Sequence, residues 1–280
     1  MPKGKSKNPR MLYHYTSVQS LYGIVEGKKI WLNTTNNAND KEDSTFYFRL
    51  LDDLLDWENA NIEVKRAYLD IKRIAVNEPR YFFSFSKLDD DASQWERYAD
   101  NARGVSLCFQ GGIKMDNFLH AQYPPVWILQ KSLYFTYSTE MKIHIKKNPD
   151  GAWGTLIRLA NAPNNQCVEQ VLREAVFDNL EDFFENFYHQ SVAYKQKSFQ
   201  SESEFRIINL SQIPPEKISF NLVHNDIRKH FDLTVGENGL ILEEIVLGPR
   251  NTTNELILRD FLDSRGFKNV KIRRSECTLR

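Results

Sequence analysis

The stretch MLYHYTSVQSLYGIVEGKKIWLN, residues 11–33, predicts a strand, a helix and a second strand in quick succession. Its first segment, MLYHYT, has the character of a β-strand, in which successive side chains point to opposite faces. His14 and Thr16 therefore share one face, and Tyr13 and Tyr15 share the other. Polar groups on one side and aromatic rings on the other fit plain packing, and they also fit the edge of a pocket.

A helix is predicted directly behind this strand. Apolar residues recur at helical spacing from Val18 to Val25, Ser17 is a suitable N-cap residue, and Gly27 is expected to close the helix. KIWLN follows as a short strand, and the polar loop TTNNANDKED comes after it. The fold therefore begins with two strands joined through one short helix.

The composition is that of an ordinary globular protein. The chain has 280 residues, of which 41% are hydrophobic and 26% charged, a size that suits one large domain or two small ones. Its 37 basic and 37 acidic residues give a formal net charge of zero. The protein therefore has no global positive field of the kind that favours binding to nucleic acid.

Cysteine usage and hydropathy predict a cytoplasmic location. Cys108, Cys167 and Cys277 have no metal-site spacing, and their odd number fits a reducing compartment better than a disulfide framework. No apolar run approaches the roughly 18 residues that a membrane span needs, so no membrane association is expected. Residues 1–10 are basic but are not followed by the apolar segment of a signal peptide. We interpret them as a flexible basic tail.

The rest of the chain predicts an α+β fold. Strands are expected at RYFFSFSK, GVSLCF, SLYFTYS, ESEFRIINL, LILEEIVLGP and NVKIRRS, with long helices over residues 44–76 and 168–192. These strands and helices do not alternate regularly, which argues against a doubly wound sheet. We predict a single domain over residues 11–280, with a partly helical insertion at about 110–195.

Common catalytic motifs are absent from the sequence. It contains no P-loop, no Rossmann fingerprint and no nucleophile elbow. The histidines lack metal-site spacing, and Asp40, Glu42 and Asp43 lie in a loop without the glycine and bidentate glutamate of a calcium site. No metal cofactor is therefore expected.

Two pairs of polar residues on predicted strands remain as candidates. Ser84 and Ser86 share one face of the FFSFS strand, as half-buried strands often show. Glu202 and Glu204 are also two apart, and we interpret them as neighbours on one strand face. Burial would raise the pKa of at least one carboxyl of such a pair. On an exposed edge the pair has no special role, whereas in a cleft it would offer a general base or a partner for a ribose hydroxyl.

Taken in order, the motifs LYHYTS, KIWLN, NDKED, FFSFS, WERYADNARGV, ESEFRI and EIVLGPR span most of the chain. With them the sequence resembles a widespread, largely uncharacterised bacterial domain family. It departs from that family at Lys41, where proline is usual, and in its long middle segment. The opening strand is in turn similar to that of ADP-ribosyltransferases of the His–Tyr–Glu type.

This second resemblance implies a fold and a ligand. In such enzymes a split mixed or antiparallel β-sheet clamps NAD, which is a substrate, and no metal takes part. Carried over by position, His14 would anchor the nicotinamide and its ribose, with Tyr15 and Thr16 beside it. Ser84 and Ser86 would shape the pocket.

The resemblance also implies a stacking ring and a catalytic carboxylate. Tyr81, Trp95 and Tyr98 are the candidates for the ring that stacks on the nicotinamide. Glu204, or failing that Glu202, would be the catalytic acid. Cleavage of the nicotinamide–ribose bond creates an oxocarbenium-like centre, which a nearby carboxylate stabilises.

The sequence therefore predicts an NAD-dependent ADP-ribosyltransferase, a bacterial toxin or phage-defence effector with an antitoxin or regulator protein as a partner. A nucleic-acid acceptor, RNA or DNA, is favoured because of the resemblance and because basic clusters flank aromatic residues. The alternatives are transfer to protein, a non-catalytic nucleotide-binding module, and a metal-dependent nuclease.

Overall fold

The computed structural model describes residues 11–35, 46–77, 80–111, 127–135, 143, 145–148, 150–209, 213–223, 225–236 and 239–279. The basic tail at residues 1–10 and the acidic loop with Lys41 lie outside these ranges. Two compact units are formed from alternating parts of the chain. Unit 1 contains residues 1–33, 82–131 and 202–280, and unit 2 contains residues 34–81 and 132–201.

Strands and helices are mixed along the described chain. The strands are β1 (Met11–Thr16), β2 (Lys29–Thr34), β3 (Tyr81–Ser86), β4 (Val105–Gln110), β5 (Trp127–Lys131), β6 (Leu133–Phe135), β7 (Tyr194–Gln196), β8 (Glu204–Asn209), β9 (Ile218–Val223), β10 (Asp226–Thr234), β11 (Leu242–Leu247) and β12 (Lys271–Arg274). The helices are α1 (Val18–Gly27), α2 (Phe46–Leu54), α3 (Ile62–Asn77), α4 (Ala92–Tyr98), α5 (Ala152–Ala160), α6 (Asn165–Glu174), α7 (Leu180–Ser191) and α8 (Glu255–Ser264). Two 3-10 turns cover Lys197–Glu202 and Pro215–Lys217.

Unit 1 is built on one large mixed sheet. Its main path runs β12-β11-β4-β1-β3-β2-β10-β9, and β8 pairs with both β3 and β5. The β11–β12 pair is parallel, whereas β1–β3, β1–β4, β4–β11 and β3–β8 are antiparallel. The predicted α+β class is confirmed, with a sheet of mixed direction.

Strand β3 has a different environment along each edge. One edge pairs with β8 over five residue pairs, from Phe82 with Ile208 to Ser86 with Glu204. The other edge meets β1 through the single pair Tyr13–Ser86, and β2 is its next neighbour in the sheet order. Strands β1 and β3 are therefore joined at one end only.

Helix α4 is held over the sheet by polar caps and by an apolar cluster. Asp91 is the N-cap of the helix, and its side chain accepts hydrogen bonds from the backbone N–H groups of Ser93 and Gln94. Just before it, the Asp90 carboxylate accepts a hydrogen bond from Trp95 Nε1 at 2.7 Å and another from the backbone N–H of Glu276 at 2.6 Å. The cluster beneath the helix consists of Tyr15, Trp95, Ala99, Ala102 and Val246.

The end of one unit 1 helix differs from the sequence prediction, and a second unit 1 helix starts at an asparagine cap. Ser17 is the N-cap of α1, as expected, but the left-handed residue after the helix is Lys28, with φ 51°, and not Gly27. Helix α8 is capped by Asn254, which accepts hydrogen bonds from the backbone N–H groups of Leu256 and Ile257. Asparagine is among the residues preferred at this position.

Unit 2 is mainly helical and has an aromatic core. Buried rings from separate helices meet in it: Phe46, Tyr47, Trp153, Phe183, Phe184 and Phe187. The predicted helix over residues 44–76 is in fact α2 and α3, because Asn61 accepts hydrogen bonds from Glu63 N and Val64 N and starts a new helix. The predicted helix over residues 168–192 is likewise divided into α6 and α7, with left-handed Val176 between them.

Other elements were missed by the sequence analysis. Strand β10 (Asp226–Thr234) was not predicted, because charged and histidine side chains hide the alternation of polar and apolar residues in its sequence. Helix α5 and strands β5 and β7 lie in the middle segment that the motifs do not cover. In the described part of the chain no helix combines the length and apolarity that crossing a membrane requires.

Candidate functional site

The candidate site begins at the β3–β8 pair in unit 1. Ser86 lies opposite Glu204, and Ser84 lies opposite Arg206. Side chains at directly paired positions emerge on the same face of a sheet. The two serines of β3 therefore share a face with Glu204 and Arg206 of β8.

The turn before β8 positions the second acid. Glu202 ends a 3-10 turn and β8 starts at Glu204, with Ser203 between them in the left-handed region at φ 45°. The interpretation of both acids as neighbours on one strand face is therefore wrong, because Glu202 lies in the 3-10 turn and Glu204 is the first residue of β8. Ser86 Oγ donates to the carbonyl of Glu202 at 2.7 Å, and Lys87 N donates to the carbonyl of Ser203 at 3.0 Å.

Glu202 is buried, with 5% of its surface exposed. Its Oε1 accepts a hydrogen bond from the Tyr98 hydroxyl and lies 3.9 Å from NH1 of Arg97, a half-exposed side chain. Burial raises the pKa of Tyr98 well above its usual value, and the hydrogen bond to Glu202 and the negative charges of Glu202 and Glu204 raise it further. The phenol is thus a neutral donor that faces two carboxylates.

Glu204 is equally buried, with 4% of its surface exposed, and forms an ion pair. Arg206 Nε donates to its Oε1 at 2.9 Å. The guanidinium of Arg206 also lies 4.6 Å from the ring centre of Phe82, which is a favourable cation–π distance. We name Tyr98, Glu202, Glu204 and Arg206 the carboxylate cluster.

The two acids of the carboxylate cluster have different surroundings. A full positive charge next to Glu204 in a low-dielectric site offsets most of its field. Glu202 has the neutral Tyr98 phenol as a close partner, and the half-exposed Arg97 lies 3.9 Å away. Carboxylates are rarely buried without such partners. Chemically, a carboxylate in this position is able to stabilise a developing positive charge or to accept a hydroxyl proton.

His14 bridges β1 and β3 at the point where they separate. Its Nδ1 donates to the carbonyl of Ser84 at 3.0 Å, since a carbonyl only accepts. This leaves Nε2 as an acceptor in the neutral ring. The imidazole centre lies 4.3 Å from that of Phe83. Burial lowers the pKa of His14 to about 4, although the bond to Ser84 opposes the shift.

His14 and the carboxylates lie on different sides of the sheet. The pairing of Tyr13 with Ser86 puts Tyr13 on the face that carries Glu204. Because side chains alternate, the His14 imidazole points to the other face, where it meets Phe83. Of the sequence-predicted residues, the structure brings Ser86, Tyr98, Glu202 and Glu204 together, and His14 meets this group through the backbone of β3.

Tyr15 and Trp95 are fully engaged in packing. The Tyr15 hydroxyl donates to the carbonyl of Leu88 and accepts from Asp91 N, both at 3.0 Å. The Trp95 ring is completely buried and meets Tyr15 edge-on, with 4.8 Å between ring centres. Neither face of Trp95 is accessible to a ligand in this arrangement. Thr16 ends β1 opposite Val105.

Tyr81 is the first residue of β3 and falls in unit 2. It is buried, and its hydroxyl has no hydrogen-bond partner among the described residues. Sequence reasoning missed Arg97 and Arg206, although both stand inside quoted motifs. The spacing of Glu204 and Arg206 on one strand was the available signal, because opposite charges two apart share a face.

No group of His, Cys, Asp or Glu side chains in the described ranges is arranged to hold a metal ion. Residues 94–207 match the model of a family described as a protein of unknown function (DUF2971). The matched segment contains Tyr98, Glu202, Glu204 and Arg206, so it includes the whole carboxylate cluster. No curated protein and no solved structure matches the chain.

Proposed function

We propose that this chain, which carries a DUF2971 segment at residues 94–207, is an NAD-dependent ADP-ribosyltransferase. The single observation that carries the proposal is the buried pair of carboxylates, Glu202 and Glu204, beside the neutral phenol of Tyr98. The partial separation of β1 from β3, with a neutral imidazole at the gap, also supports a split sheet of the ADP-ribosyltransferase type.

The proposed reaction needs a carboxylate close to a ribose. The bond between the nicotinamide nitrogen and ribose C1′ breaks, and nicotinamide leaves with the electron pair. The positive charge that grows on the ribose is stabilised by a carboxylate in a dry site. A nucleophile of the acceptor then bonds to C1′ and releases its proton, for which the second oxygen of a carboxylate is a suitable acceptor.

We assign the reacting carboxylate to Glu202 and a supporting role to Glu204. Arg206 is a buried cation 2.9 Å from Glu204, and Arg97 is a half-exposed cation 3.9 Å from Glu202. A buried guanidinium in contact offsets the charge of a carboxylate more strongly than a solvated one at longer range, and this comparison is our reason for ranking Glu202 first. This reverses the order in which the sequence ranked the two acids.

A transfer assay with matched variants tests the proposal. Purified protein is incubated with NAD labelled in its adenylate half and with RNA, DNA or a protein mixture. Label transfer is expected for the wild type and is expected to fall at least 100-fold in Glu202→Gln, in the range seen when one electrostatic partner of a transition state is removed. Glu216→Gln, on the surface of unit 1, is the control. No release of nicotinamide with any acceptor would overturn the proposal.

The acceptor and the cellular role are parts of the same proposal. We favour RNA or DNA over protein as the acceptor, in a bacterial toxin or phage-defence effector. The three arms of the transfer assay separate these acceptors directly. Label on protein alone would replace the nucleic-acid assignment and leave the transferase activity in place.

One observation favours a second function, a non-catalytic nucleotide-binding module. His14 and the carboxylates lie on different sides of β3, and Glu204 is held in an ion pair with Arg206. Such a module binds NAD or ADP-ribose without breaking a bond. Calorimetric titration with both ligands, together with a nicotinamide-release assay, distinguishes it from the transferase.

A further inference from the structure

Gln94 on α4 is a buried polar side chain without an apparent structural use. Only 3% of its surface is exposed, and its Nε2 has no hydrogen-bond partner among the described residues. A buried donor that lacks a partner costs about 1–3 kcal/mol. Native proteins contain few such groups, and they concentrate where a sequence serves function at the expense of stability.

Helix geometry relates Gln94 to the carboxylate cluster. Residues four apart lie on the same side of an α-helix, so Gln94 lies on the side of Tyr98, whose hydroxyl reaches Glu202. Trp95 and Ala99 form the adjacent side, which packs into the apolar cluster. The unpartnered amide is therefore on the side of α4 that approaches the candidate site.

Packing alone does not explain a glutamine here. The helix start is stabilised through the backbone, since Gln94 N donates to Asp91 Oδ1 at 3.1 Å without help from the side chain. A methionine of similar length would fill the same space and bury no unpaired donor. The amide thus carries an energetic cost that the helix itself does not require.

We propose that Gln94 binds the ligand of this site, through a hydrogen bond from Nε2 to a ribose hydroxyl. This rests on the proposed function. We expect the ligand group to be uncharged, because the negative charge of Glu202 disfavours a phosphate beside it. A hydroxyl has one donor hydrogen and two acceptor lone pairs. It is therefore able to donate to Glu202 while it accepts from Gln94.

The test combines stability with binding. Gln94→Met removes the donor and keeps the volume, so its melting temperature is expected to equal or exceed that of the wild type. Its Kd for ADP-ribose is expected to rise about 5–10-fold, the loss of one neutral hydrogen bond. Gln170→Met removes an exposed amide that donates to Glu174 and serves as the control, with no change in Kd.

Each outcome has a distinct meaning. If Gln94→Met binds ADP-ribose and NAD as tightly as the wild type, the Gln94 assignment is overturned and the proposed function stands. A large fall in melting temperature together with lost binding would mean a structural role, which also overturns the assignment. If the wild type itself binds neither ligand, both the proposed function and the role of Gln94 are overturned.

Discussion

The Tyr98 hydroxyl donates to Oε1 of Glu202, although the two residues are 104 positions apart in the sequence. The bond joins helix α4 to the turn that precedes β8. It also fixes one carboxylate oxygen against a phenol that burial keeps protonated. A group that is neutral, rigid and close to an acid orients the acid without cancelling its charge, which is what a reacting carboxylate requires.

Removal of this hydroxyl should affect both stability and activity. Tyr98→Phe leaves the ring in place but deprives a buried carboxylate oxygen of a donor, so a loss of about 1–3 kcal/mol in the free energy of unfolding is expected. Urea denaturation measures this loss, and transfer from NAD should fall in parallel. Tyr22→Phe is the matched control, because the Tyr22 ring is exposed and stacks on Phe261. Equal stability of the two variants would contradict the structural role of the bond.

The ion pair between Glu204 and Arg206 is predicted to be structural. Glu204→Gln leaves the buried guanidinium without this charge partner, and we expect a loss of about 3–5 kcal/mol in unfolding free energy. A double variant, Glu204→Gln with Arg206→Met, should regain a large part of that loss, because it removes the buried guanidinium charge as well.

A double-mutant cycle by urea denaturation measures the coupling between the two side chains. The surface pair Arg158–Glu174, in unit 2, is a suitable comparison with an expected coupling below about 1 kcal/mol. Additive effects at Glu204 and Arg206 would show that the ion pair does not hold β8 in place. They would also remove our reason for ranking Glu202 first as the reacting acid.

Ser203 is predicted to store strain beside the site. The left-handed region costs a non-glycine residue about 1–2 kcal/mol, and Ser203 has φ 45° between the two acids. Ser203→Gly should therefore be neutral or stabilising by up to about 1 kcal/mol, since glycine loses part of the gain through its entropy in the unfolded chain. Ser203→Val should be clearly destabilising.

The comparison residue for this prediction is Ser219 in β9, whose backbone is extended. There the order should invert, because valine suits a strand and glycine weakens it. Thermal denaturation of the four variants gives the two orders directly. If Ser203 behaved like Ser219, the backbone at Ser203 would have to be extended, and Glu202 and Glu204 would share a strand face after all.

The strands of the site were predictable from sequence because their signals are local. Phe and Ser alternate in β3, and EFRI alternates in β8, so both periods are visible within a few residues. The family resemblance assigned Ser86 and Glu204 to one ligand site, and the register of β3 and β8 pairs these two residues. Strand β10 was missed because three consecutive polar residues, Arg228, Lys229 and His230, interrupt the alternation of polar and apolar residues.

The turn at Ser203 was not predictable in the same way. Serine occurs in strands and in turns, and at this position Ser86 and Lys87 donate to the carbonyls of Glu202 and Ser203, on either side of the left-handed backbone. The unpartnered amide of Gln94 was also invisible, since a glutamine in a short helix is ordinarily solvated. Both features depend on contacts between distant segments, which a single sequence does not specify.

His14 is predicted to make stability depend on pH. Burial lowers the pKa of the folded-state imidazole to about 4, whereas the unfolded chain has the usual value of about 6.5. Between these values the unfolded state binds more protons, so stability rises with pH. The contribution is therefore complete above pH 6.5 and is lost as the pH falls towards 4. At pH 4.5 we expect it to be reduced by about 2 kcal/mol.

Urea denaturation of the wild type and of His14→Gln between pH 4.5 and 7.5 measures this effect. The wild type should lose more stability than the variant over that range, and the difference between the two curves isolates His14 from the other titrating groups. His230→Gln is the comparison, because burial lowers the pKa of His230 while the charge of Asp232 opposes the shift, so a smaller difference is expected. Parallel curves for the wild type and His14→Gln would mean that the imidazole titrates as it does in water. Burial would then not hold it neutral at the gap between β1 and β3.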